Sequence, residues 1–407
     1  MGDHMQQQRT TPVMNLRFHE EGFNQNPFPV LEQIRSAGPI VYNELLDRWM
    51  VTAYPHVSRV LGDGTHYAQG ASEAFVNFFG GTTMETVDEP ERHNAMRGIW
   101  AADFQRGSLE SQRALVERVV MERLDPFVER LRSGETVDAV ADLTRSIPTL
   151  VIASMLGIET SMFAQFSAWS DAMGATTEGA LDPTEKGTQT VTAGRRATAE
   201  LNAYIAEQVA DRRRRPSEDL IGKMVAAPFA QTQMSEVEII ASNTQLVFAG
   251  NETTAKLMAH TLVALAGHPD QCRTLAGDRS LVLRAIEEVH RWQTITQFID
   301  RDVRTEVELA GIRLEPGAVV TPLQGAANRD PERWDHPGEF DITRPPRQHL
   351  GFGFGLHSCI GLNLARLEVQ VWLDRLLDLL PEFHVTEEVD YGSNFQLRGP
   401  FAVHVAA

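Results

Sequence analysis

Cysteine is scarce in this chain: of 407 residues only two, Cys272 and Cys359, carry a thiol, and they lie in very different contexts. A disulfide framework is excluded in practice, and a reducing cytoplasm fits. Long apolar runs are also missing. The most apolar stretch, Ile147 to Ile158, contains Pro148 and falls short of the roughly 20 residues a membrane span needs, so no membrane anchor is expected. The first residues have no apolar core for a signal peptide and place Gln6 where a myristoylation signal wants Ser or Thr. Residues 1–15 read as a flexible N-terminus, a remnant of cloning. Basic residues are in deficit, with 37 Lys and Arg against 55 Asp and Glu, a net charge of −18. Nucleic acid and anionic membranes select for the opposite sign, so neither is expected as a partner; a self-repelling monomer is. No Pro/Gly/Ser tract, repeat or low-complexity block forces a cut, and 42% hydrophobic residues suffice for a large core. Residues 16–407 are read as a single domain.

Apolar residues at helical spacing dominate from Pro90 to about Trp292, with a capping signal where Asp88 precedes Pro90 and Glu91. Short β-like runs lie near the ends, at Ile40 to Thr52, Val307 to Val320 and Phe383 to Val405. The fold class expected is mainly α with a minor β part drawn from both ends. The basic run Arg212 to Arg215 precedes Pro216 and reads as a solvated helix C-terminus. Phe75, Phe78 and Phe79, ahead of Gly80 and Gly81, suit a ligand entrance and a packed loop equally well.

Cys359 stands in Phe352-Gly-Phe-Gly-Leu-His-Ser-Cys-Ile-Gly361. Gly353 and Gly355 permit a tight turn that aims amide N–H groups at a sulfur, and Gly361 opens an amphipathic stretch, Leu362 to Leu380, that reads as a helix. Its N-terminal dipole favours the thiolate, the form that binds metal. Zinc is a poor match because no CxxC or HxxxH partner accompanies the cysteine. A haem supplies four nitrogens of its own and leaves one axial position. The run resembles the haem-binding loop of the cytochrome P-450 superfamily, F-G-x-G-x-H-x-C-x-G, at every fixed position. That resemblance implies a triangular-prism-like fold enclosing haem b, with Cys359 as metal ligand pushing electron density onto iron to favour O–O cleavage.

Further motifs extend the resemblance. Ala249-Gly-Asn-Glu-Thr253, set in a helical pattern from about Ser235 to Ala266 that Gly250 interrupts, is similar to A-G-x-[DE]-T, which implies catalytic roles for Glu252 and Thr253 in delivering protons to dioxygen. His93 and Arg97 match H-x-x-x-R, whose spacing puts both on one helix face. With Arg301 and His357 they are the implied holders of the haem propionates, Arg304 being the alternative to Arg301. Glu288 and Arg291 match E-x-x-R, and with Arg344 they imply a structural ion network. Gln245, Phe248, Ala249, Gln297 and Phe395 are candidates for contact with substrate.

The resemblance implies a bacterial monooxygenase that inserts one oxygen atom of O2 into a small to medium hydrophobic substrate, by hydroxylation or oxidative dealkylation. Electrons would come from NAD(P)H through an external ferredoxin and ferredoxin reductase, since the chain carries no flavin or iron–sulfur motif, and a local basic patch including Arg106 and Arg366 would receive the partner. A peroxygenase or rearrangement enzyme of the same fold and a non-catalytic haem sensor are the alternatives.

Overall fold

The computed structural model describes residues 12–18, 22–70, 72–180 and 184–407. Residues 1–11 of the N-terminal stretch lie outside the described residues. The boundary expected at residue 16 is too late: strand Val13–Met14 already pairs in parallel with Ile40–Asn43, the Tyr42 N–H donating to Pro12 O and that of Glu44 to Met14 O at 3.0 Å each. Backbone groups that would otherwise lack partners are satisfied there, which fixes the segment.

Helices make most of the body. The main ones are Pro90–Ala101, Arg113–Arg132, Ser146–Met155, Glu185–Arg214, Glu236–Gly267, Val282–Trp292 and Leu362–Leu379. The apolar run after Arg145 is a core helix: nine of its ten residues, all but Ser154, are buried, which is what apolarity on every face requires. It packs against the long helix Glu236–Gly267 so tightly that a Cβ on Gly250 would lie 2.9 Å from Ile152 Cγ1. The break expected at Gly250 is therefore absent. The helix runs through it, and the glycine allows the close approach to Ile152. At the start of this helix Ser235 and Glu238 form a reciprocal capping box.

The β part joins both ends of the chain. A mixed sheet of six strands runs Val13–Met14, Ile40–Asn43, Arg48–Val51, Val319–Pro322, Arg301–Val303, Tyr67–Gln69. Strand Arg301–Val303 pairs antiparallel with both Val319–Pro322 and Tyr67–Gln69, so Arg301 is held inside the sheet. Two sequence readings are corrected here. Asp88 is no cap: Glu89 occupies that position, and the Asp88 carboxylate instead accepts from Gln69 N–H at 3.0 Å. Arg212 is not solvated but buried, donating to Gly157 O, Gln208 and Asp219. Phe78 and Phe79 pack edge-on against Phe248, which decides that cluster in favour of packing.

Candidate functional site

The cysteine loop is shaped by two left-handed glycines. Gly353 has φ 71° and Gly355 φ 77°, and a Cβ on Gly355 would meet Gly62 Cα at 2.8 Å, so only glycine fits the second. The turn closes with Cys359 N–H donating to Phe352 O at 2.9 Å, and the next helix begins at Leu362 with Gly361 as its cap. Cys359 is exposed on the wall of a cavity. Burial pushes its thiol up; the Gly361 amide and the Arg97 guanidinium act in the opposite direction, favouring thiolate.

Around that cavity stand polar atoms without partners. His93 Nδ1 lies 2.8 Å from Met84 O and 3.1 Å from Val87 O, so it carries the proton and Nε2 is left buried and unpaired. His357 Nε2 meets Asp88 at 3.0 Å, leaving Nδ1 unpaired. Arg97 donates to Ser358 O at 2.8 Å. Arg301, buried on an inner strand of the sheet, donates among the described residues to the carbonyls of Ile299 and Asp300, and burial pulls its guanidinium down to about 10. Arg304 lies 2.9 Å from Asp88 and does not line the cavity, so the geometry favours Arg301 over its alternative. A buried guanidinium without a carboxylate and two half-paired imidazoles are what a cofactor with two propionates requires. The donor set fits haem.

The long helix roofs the same space. Gln245, Ala249, Thr253 and Leu257 follow one another at i,i+4 and line the cavity, with Leu246, Gly250 and Thr254 beside them. Thr253 Oγ1 donates back to Ala249 O at 3.2 Å. Phe248 and Glu252 fall on the neighbouring stripe and do not line it. Glu252 instead meets Lys256 Nζ at 2.5 Å, with Asn394 Nδ2 at 3.4 Å and its Oε2 buried without a partner. Two other substrate candidates are misplaced as well. Gln297 turns inward to donate to Thr294 O, its Oε1 crowding Gly325, and Phe395 packs with Phe18 and Phe298 in a separate cluster. In both cases backbone packing, which spacing along the chain does not report, decides the direction.

Glu288 and Arg291 pair bidentately at 2.7 Å, both buried, and Arg344 Nε joins Glu288 at 3.0 Å. The remaining Arg291 donors reach Asn328 O, Pro337 O and Glu339 O, so no charge is stranded. Arg106 is exposed, but Arg366, expected beside it in a basic patch, is bound at 2.7 and 2.8 Å by Glu287, which meets its charge within the chain.

Sequence reasoning missed Glu85. It lines the cavity from the short turn Met84–Thr86 and accepts from Gln245 Nε2 at 2.9 Å. The available signal was an acid between apolar Met84 and Val87, just ahead of His93. Burial raises its carboxyl, while Gln245, His357 and Arg301 oppose the shift.

Comparison with known proteins agrees with the site. The family model described as Cytochrome P450 matches residues 9–390. A mycinamicin IV hydroxylase/epoxidase of Micromonospora griseorubida is 30% identical over 371 residues, 88% of this chain and 89% of that one. A vitamin D3 dihydroxylase of Streptomyces griseolus is 30% identical, covering 84% and 82%. The structure of CYP109E1 from Bacillus megaterium in complex with testosterone superposes with a TM-score of 0.85 at 29% identity, covering 94% of this chain and 98% of that one. A cysteine at the floor of a cavity rimmed by unpaired cations, under a helix bearing Thr253, thus coincides with a match along nearly the whole sequence: the chain belongs to the cytochrome P450 superfamily and is a haem-dependent monooxygenase.

Proposed function

We propose that Cys359 is the thiolate that would hold a haem iron, that His93, Arg97, Arg301 and His357 would hold the propionates, and that the enzyme hydroxylates or dealkylates a small to medium hydrophobic substrate. The observation carrying this reading is the position of Cys359 on one wall of a cavity whose opposite wall presents Ala249 and Thr253. Haem held there would supply the activation of dioxygen.

The chain's own residues do the rest. Leu246, Ala249, Ile295 and Ile299 give the substrate an apolar surface and exclude water from it. The Thr253 hydroxyl, bonded to Ala249 O, holds a proton at the roof of the cavity. Glu252 feeds it: Oε2 has no partner, so rotation away from Lys256 carries a proton from the outer stripe of the helix to the inner one. Glu288, Arg291 and Arg344 keep the loop before Cys359 in place.

Electrons enter from an external ferredoxin and its reductase, drawing on NAD(P)H, at the face that carries Arg106. The protein acts as a cytoplasmic monomer folded as one domain. Among the described residues no helix is long and apolar enough to cross a membrane. The test is optical. The reduced, carbon-monoxide-bound protein is expected to show the red-shifted Soret band of a thiolate ligand, and Cys359→His to abolish it; an unshifted band in the parent protein would refute the assignment.

A further inference from the structure

Two acids, Glu85 and Glu368, line the cavity, and the reaction uses neither; Glu85 is the one that meets the long helix through a hydrogen bond. It is held there by local structure: Thr86 Oγ1 accepts from Thr83 N–H at 3.1 Å and donates to Thr83 O at 3.0 Å across its turn, and Met84 O is fixed by His93 Nδ1. Among the described residues its hydrogen-bond partner is Gln245, whose own Oε1 is buried without a partner and whose side chain is 3% exposed. The acid and the amide thus meet between the turn and the long helix, one helical turn from Ala249 and two from Thr253.

Counting charge shows what is missing. His357 and Arg304 both face Asp88, and His93 is pushed toward its neutral form by burial and by the neighbouring His357, against the pull of its carbonyl contacts. Arg97 and Arg301 are the cations left over, and the two haem propionates match them. Loading haem therefore removes the positive field that now favours a charged Glu85. Glu85 shares the cavity with Leu246, Ile295 and Ile299, and in such a lining a charged carboxylate is stable only with a cation beside it.

We propose that Glu85, presented with Gln245, is the anchor for a basic nitrogen on the substrate, so that the enzyme selects lipophilic amines in their cationic form. The proposal rests on the haem-monooxygenase reading above. The Glu85 carboxylate takes the ammonium N–H as a charge-assisted hydrogen bond, and Gln245 offers Oε1 to the same group. The apolar remainder of the molecule then lies along Ala249 toward the reacting centre.

The experiment uses the holoenzyme and equilibrium dialysis at neutral pH, with a phenylalkyl dimethylamine and its neutral isopropyl isostere as probes. The parent enzyme is expected to hold the amine about tenfold or more tighter than the isostere. Glu85→Gln should bring the amine down to the isostere, and Glu85→Asp, which retains the charge, should keep a preference. The carbon-monoxide band recorded on each variant separates the two readings, since a thiolate band with no amine preference overturns only this proposal. An absent preference in the parent enzyme overturns it, as does a preference that E85Q leaves intact.

Discussion

Two clusters of buried charge lie a short distance apart in this protein, and they are finished to different degrees. Around Glu288, Arg291 and Arg344 the carboxylate meets both guanidinium groups, and the remaining arginine donors end on the carbonyls of the segment 328–339. Around the cavity, Arg301 has only two neighbouring carbonyls, while His93 and His357 each leave a ring nitrogen unpaired. Satisfied polar groups hold a fold; unsatisfied ones cost free energy and persist where a ligand completes them. The contrast separates scaffold from site without reference to any bound group.

The sharpest way to break this comparison is Glu288→Ala, which strands the buried guanidinium of Arg291 and the half-buried one of Arg344. It is expected to cost about 3–5 kcal/mol of stability, with or without haem, by denaturant unfolding. A loss of only ~0.2–0.5 kcal/mol, as for a surface i,i+3 pair, would place the network among ordinary surface contacts.

Arg301→Gln should behave in the opposite manner. The apoprotein is expected to unfold within about 1 kcal/mol of the parent, because the lost bonds are two neutral carbonyl contacts, while haem should bind about 10–100-fold more weakly. Haem transfer to apomyoglobin measures the second effect. An equal loss in apo and holo forms would make Arg301 part of the scaffold.

The smallest effect concerns Glu287, which belongs to the satisfied class. Burial opposes its charge, but His349 and Arg366 outweigh it and hold the carboxyl well below the usual range. A carboxyl depressed on folding contributes stability that is present above its unfolded value of about 4.3 and lost as pH falls through the lower folded one. Glu287→Gln is therefore expected to lower the melting temperature above about pH 5 by a constant amount, with the gap closing in more acid solution. A gap that widens on acidification would contradict the sign.

Much of the site was legible beforehand because its motifs are local. The glycines beside Cys359, the i,i+4 pair His93 and Arg97, and the i,i+3 pair Glu288 and Arg291 each encode their geometry within one turn of chain. Phe248 and Glu252 show the limit of such reading: they share a helix with Ala249 and Thr253, yet one residue of offset turns them to the next stripe. Gln297 and Phe395 show it again, since irregular backbone has no period from which a direction can be read.

By itself the sequence determined the helix-rich class and the family, because each depends on residue type at short spacing. Only the tertiary structure decided that Arg301 is the unpaired cation and Arg304 the paired one, that Asp88 serves His357 instead of a helix end, and that Glu85 enters the cavity. Those outcomes depend on which carboxylate meets which cation across segments far apart in the chain. Desolvation and distance set that pairing, and neither exists until the chain has folded.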